Sequence, residues 1–227
     1  MAEPLRSDPP PYEVRRSDRA RRIRVAVEHD GRVVVTLPRR ARERDAATAV
    51  AELRGWIERR RAEAAARRAA LAGTPGTVPY LGAELTLVPQ AGRTRAHRRE
   101  DRLLVPGGAQ AAPAVERFYR RAARAEIAPR VDVAAAAVGR TCTKLTIRAQ
   151  RTRWGSCSAT GALSFNWRLL LAPEPVLDYV VWHEACHLAV LDHSPRFWAL
   201  VEHHLPAYRE PQRWLRRHGA GLVLPEL

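Results

Sequence analysis

His183-Glu184-Ala185-Cys186-His187 spells H-E-x-x-H inside the most apolar helical stretch of the chain, and His193 follows six positions later. On a helix, at about 100° per residue, His183 and His187 lie one turn apart and can converge on one ion, while Glu184 points about 80° to the side of that pair. The glutamate is therefore badly placed as a third ligand and well placed to reach a water beside the metal. That division of labour serves metal-assisted hydrolysis. The first expectation is a zinc-dependent hydrolase, most simply a peptidase.

A lone histidine in an apolar helix is better read as a core residue. Three ionisable groups on one buried helix are harder to explain that way: each costs about 1–3 kcal/mol if left unsatisfied, and more if charged. One ion satisfies them together. His193 leads as third ligand, because three histidines leave zinc a fourth position for water and the turn at Ser194-Pro195 can swing the chain back. Asp192 is adjacent and also chemically able to bind, and His203 and His204 lie one helix further on. Five residues separate His187 from His193, as in metzincins, but Val190 stands where that pattern has glycine, which argues against a true metzincin. Cys186 and Cys157 read as small buried residues rather than ligands.

These residues need a frame. At 227 residues the chain can bury a core without crosslinks. Its three cysteines, Cys142, Cys157 and Cys186, form no C-x-x-C pair, so neither a disulfide framework nor a cysteine zinc knuckle is indicated. The stretch from Met1 to Tyr12 is polar and proline-rich, and no run approaches the roughly 18 apolar residues of a membrane span. A soluble protein of the reducing cytoplasm, with no membrane partner, is expected. The formal charge of +15 is carried almost wholly by arginine, with Lys144 the only lysine. Arginines mixed with acids, as in Arg42-Glu43-Arg44-Asp45, read as solvated helix faces rather than a nucleic-acid surface. Only weak, salt-sensitive binding to nucleic acid is expected.

Residues 1–20 read as a disordered lead-in. Ile23–Val27 alternates with period two, Asp30-Gly31 is a hairpin signal, and Val33–Leu37 returns as a second strand stopped by Pro38. Residues 43–71 read as one long amphipathic helix with Val50, Leu53, Trp56 and Ile57 on its apolar face. Strands follow at Glu84–Val88 and Leu103–Val105, with an arginine-bearing loop between them. A second helix opens near Pro113, carries Val115, Phe118, Tyr119 and Ala122 on one face, breaks or kinks at Pro129, and ends around Gly139. Lys144–Arg148 and Leu163–Trp167 alternate as strands around the turn Ala159-Thr160-Gly161. The H-E-x-x-H helix should open at Pro173–Pro175 and run to about Val190, and Ser194-Pro195 should cap the next one.

Arg153-Trp154-Gly155-Ser156-Cys157-Ser158, then Asn166, then Asp178-Tyr179-Val180-Val181 leading into H-E-x-x-H, then His193-Ser194-Pro195 with Phe197-Trp198, together resemble the YgjP-like zinc metallopeptidases, relatives of the SprT-like and WLM zincins. The resemblance is strongest over 140–218 and extends diffusely to the hairpin, the long helix and Tyr80-Leu81-Gly82. It implies an α+β fold: an N-terminal β-hairpin and helix region over 21–138, then a zincin-like catalytic region over 139–227. It also implies that His183, His187 and His193 hold Zn2+ and that Glu184 is the general base.

The expected reaction is hydrolysis of a peptide bond in a protein or peptide substrate. Zinc would make a nucleophile of water and polarise the scissile carbonyl, and Glu184 would take the proton and pass it to the leaving amine. Tyr208, Arg153 and Asn166 are candidates for stabilising the oxyanion, with none preferred. The strand Leu163–Trp167 could offer an edge to an extended substrate. Two alternatives come from other classes. One is a nucleic-acid-associated protein, either a protease acting on DNA-bound proteins or a binding module with structural zinc. The other is an inactive zincin, which retention of Glu184 argues against.

Overall fold

The computed structural model describes residues 10–28, 30–71, 73–150 and 153–225. Contacts group the chain into two units, Met1–Leu71 and Ala72–Leu227.

In the first unit, β2 (Arg24–Val27) and β3 (Val33–Pro38) form the expected hairpin, with Val25 opposite Val35 and Val27 opposite Val33. Gly31 takes φ +83°, the left-handed conformation the turn needs, and Asp30 Oδ1 accepts from the Arg32 amide. The expectation of a disordered lead-in over 1–20 is corrected here: Tyr12–Ser17 is a strand, β1, parallel to β3 with Val14 opposite Val35. Its apolar residues provide the reason. Tyr12 and Val14 pack against the core of Val33, Val35, Leu37, Ala46, Val50 and Ile57. Residues 1–9 lie outside the described residues. The expected single helix is two, α1 (Glu43–Glu52) and α2 (Arg54–Ala69), with the break at Leu53. That leucine, expected on the apolar face, is exposed, and Gly55, a weak helix former, follows it.

The second unit opens with four strands, β4 (Thr77–Tyr80), β5 (Ala83–Pro89), β6 (His97–Arg99) and β7 (Arg102–Val105), in the order β4-β5-β7-β6. β5 and β7 cover the two expected strands. The segment expected as a loop contains β6, whose three exposed polar residues carry no apolar alternation to reveal it. Of the break or kink expected at Pro129, the break is absent: α3 (Ala111–Ala137) continues through the proline. Ile127 and Val131 are buried on either side of the proline, and that packing outweighs a local cost of about 3 kcal/mol. Gly139 at φ +67° ends the helix, and the Arg140 amide reaches back to Ala135 O.

β8 (Lys144–Arg148), β9 (Gly155–Cys157) and β10 (Ala162–Asn166) make a second sheet in the order β8-β10-β9. β10 lies in the middle, parallel to β8 and antiparallel to β9, so the strand expected to offer a free edge has none. Among the described residues, β9 pairs on one side only. After the tight turn Trp167–Leu171 come α4 (Glu174–His187), α5 (Pro195–His204) and α6 (Arg209–His218). α4 packs against α3, α5, α6 and β9. By these contacts α3 belongs with the H-E-x-x-H helix, whereas the sequence placed it in the N-terminal region. Among the described residues, no helix is long and apolar enough to cross a membrane.

Candidate metal centre

α4 is buried almost all round, with Leu177, Val180, Val181, Ala185 and Cys186 in the core, and this burial forces its polar side chains to find specific partners. Pro175 sits in its first turn, as expected. The helix stops at His187 rather than near Val190. There the chain turns so that Val190 O meets His187 Nδ1 at 2.9 Å. A carbonyl can only accept, so Nδ1 carries the proton and Nε2 is left with a bare lone pair.

The following turn is closed by Asp192, whose Oδ1 accepts from the Ser194 amide at 3.0 Å. That engagement occupies Asp192 and delivers His193. Its Nε2 lies 3.2 Å from that of His187 and 3.1 Å from that of His183. Histidines 183, 187 and 193 thus bring ligand atoms within 4.8 Å of one another. His203 and His204 stay apart, with His204 stacked 4.9 Å from Trp182. Pro195 opens α5 with Ser194 at the N-cap, although the serine side chain makes no capping bond.

α5 returns Phe197 beneath the cluster, stacked 4.2 Å from His187 and edge-on to His183 and His193 at 4.9 and 5.0 Å. Trp198 stands 5.7 and 5.8 Å from His183 and His193. Burial first, and then the neighbouring His187 and His193, drive the pKa of His183 down to about 3. Burial likewise lowers that of His187. His187 Nε2, a bare acceptor, and the Nε2 atoms of His183 and His193 converge on one point, as ligand atoms do around a shared cation. Metal–nitrogen bonds of about 2.0–2.1 Å in tetrahedral array place the nitrogens about 3.4 Å apart, close to the two spacings found here. The donor set fits a borderline divalent ion. His183 Nδ1 is buried with no partner among the described residues.

Glu184, 6% exposed, follows His183 on α4 and packs against Gly155 of β9. A Cβ at Gly155 would fall 2.5 Å from Glu184 Cγ and 2.6 Å from its Oε1, so only glycine leaves room for the carboxylate. Burial pushes the Glu184 carboxyl up to about 7, with the charge of Arg153 opposing. The three oxyanion candidates separate. Asn166 is spent on the backbone, donating to Gln150 O at 2.7 Å and accepting from the Arg168 amide. Tyr208 stacks on Trp198 at 5.5 Å. Arg153 is the one whose charge reaches Glu184. Sequence reasoning missed Tyr179, whose ring lies 5.8 Å from His183 and whose hydroxyl accepts from Gln212 Nε2. It also missed why residue 155 is glycine. Cys157 and Cys186 lie outside the ligand group, and burial pushes each thiol up to about 11.

The family model described as YgjP-like, metallopeptidase domain, matches residues 21–218. Among solved structures, the metallopeptidase zymogen of Pyrococcus abyssi abylysin is similar at 23% identity, covering 43% of this chain and 99% of that one with a TM-score of 0.38, a likeness too distant to argue from. No curated protein matches.

Proposed function

Because the chain belongs to the YgjP-like metallopeptidase family, we propose that it hydrolyses peptide bonds with a zinc ion held by His183, His187 and His193 and with Glu184 as general base. The observation that carries this reading is the meeting of three imidazole Nε2 atoms, at 3.1 and 3.2 Å, where burial disfavours protonation of His183 and His187. Held by His183, His187 and His193, zinc would supply a Lewis acid that acidifies water and polarises a carbonyl.

The remaining work falls to the chain. Val190 O fixes the His187 tautomer, and the ring of Phe197 holds the imidazoles in place from beneath. Glu184, its carboxyl raised towards neutrality by burial, takes a proton from the attacking water and holds it until the leaving amine receives it. Gly155 keeps the space in which that carboxylate works. The side of β9 without a strand partner among the described residues offers backbone N–H and C=O groups to an extended peptide. Arg153 and Tyr208 are the candidates left to face the developing oxyanion.

Elemental analysis of the purified protein tests the assignment. One zinc per chain is expected, falling sharply on replacement of His183, His187 or His193 by Ala and unchanged in Cys157→Ser and Cys186→Ser. Zinc loss in the cysteine variants with retention in the histidine variants would overturn it.

A further inference from the structure

The charge of +15 is spread along the sequence, yet folding gathers part of it. Arg117, Arg120, Arg121 and Arg124 recur at the i, i+3, i+4 and i+7 spacing of one helix face in α3. Three of them, Arg120, Arg121 and Arg124, line a cavity of ≈ 580 Å³ together with Ala125 and Ile147. Ile147 belongs to β8, an edge strand whose two ends are the exposed Lys144 and Arg148.

The guanidinium groups are held mainly by backbone. Arg124 Nη1 donates to Leu145 O at 3.0 Å and Arg121 Nη2 to Ala96 O at 3.1 Å. Arg120 pairs with Glu116, through Nη2 at 2.6 Å. A guanidinium has five N–H donors, so a single carbonyl bond pins Arg121 and Arg124 while most of their donors remain for a ligand. Neither has an acidic partner among the described residues. Two positive groups thus line the same open cavity, an arrangement that favours an anion. Pinned guanidinium forks match the oxygens of a phosphate bidentately. Ala125 and Ile147 add apolar surface, and a guanidinium plane can stack on a base.

We infer that this cavity binds a phosphate ester with a flat apolar body, that is, a nucleotide, free or within a single strand. The phosphate meets Arg121 and Arg124, and the base lies against Ala125 and Ile147. The site is distinct from the histidine cluster. It lies at β8, on the opposite side of β10 from β9 and its Gly155.

The test is anisotropy of a fluorescein-labelled oligothymidylate titrated with the full chain at several salt concentrations. Adenosine monophosphate, inorganic phosphate and polyglutamate serve as competitors. The variants are Arg121→Gln/Arg124→Gln and, as a control removing the same charge, Arg59→Gln/Arg61→Gln on α2. Binding by the wild type is expected, with the α3 pair weakening it about tenfold or more. The slope of log affinity against log salt should flatten by about 1.4, at about 0.7 for each single-strand phosphate that is no longer neutralised. The α2 pair should leave that slope near wild type. Competition by the mononucleotide identifies a free nucleotide as sufficient, and competition by the strand alone identifies the polymer; either supports the site. Ala125→Glu, a substitution at an exposed helix position, places a carboxylate in the lining and should reproduce the loss if the double variant folds poorly. Three results would each overturn the proposal: no binding at low salt, equal loss in the α2 pair, or polyglutamate competing as well as the strand.

Discussion

The two ends of α4 treat polar groups in opposite ways. At its start, Glu174 and Asp178 meet Arg130 from α3, with Asp178 Oδ1 3.0 Å from Arg130 Nε. Arg130 also holds Glu126 at 2.8 Å, and Glu126 accepts from the Tyr80 hydroxyl at 3.0 Å. Positive and negative groups there answer one another within the chain. At the other end, His183, His187 and His193 turn their Nε2 atoms towards one another, with no ion pair among the described residues. The first cluster is complete and ties two helices together. The second is completed only by a cation, and that difference separates structural polarity from polarity kept for chemistry.

Removing a member of the open cluster should have the largest effect. His187→Ala is expected to lose both the ion and peptide hydrolysis, and chelation should lower the thermal midpoint of the wild type but not of this variant, since binding to the folded state alone is what stabilises. A chelator shift that survives in the variant would place the ion elsewhere. Next comes Gly155→Ala, which displaces Glu184 without touching a ligand. The ion should stay while kcat falls about 10²-fold, the scale of a misplacement near 1 Å. Wild-type kcat would show that the carboxylate position does not matter. The smallest effect on activity belongs to the closed cluster. Arg130→Gln should cost about 1 kcal/mol in urea denaturation, because it strands the half-buried Glu126 and Asp178 and the exposed Glu174. Zinc content and kcat should hold; loss of the ion in this variant would erase the contrast between the two ends.

The same contrast explains what could be read from the sequence. The histidine cluster was legible because its members lie close along the chain and only one helix period and one turn are needed to bring them together. The hairpin at Asp30-Gly31 was legible for the same local reason. Arg130 was not, since its partners Glu174 and Asp178 lie more than forty positions away on another helix. Nor was Gly155, whose meaning depends on a glutamate that approaches only after β9 packs on α4. β1 was hidden by its polar, proline-rich flank although Tyr12 and Val14 alternate, and β6 has no apolar residue to announce it. The helix through Pro129 shows burial on both sides of a residue overriding its local preference.

In the proposed mechanism the histidines hold the ion and Glu184 moves the proton, two roles that one substitution can separate. Replacing Glu184 by Gln keeps the shape and removes the basicity, and the measurement is zinc content together with the rate of peptide hydrolysis on the same preparation. One zinc per chain is expected, as in the wild type, with hydrolysis reduced about 10²–10⁴-fold. A fully loaded variant that cleaves at near the wild-type rate would refute the mechanism.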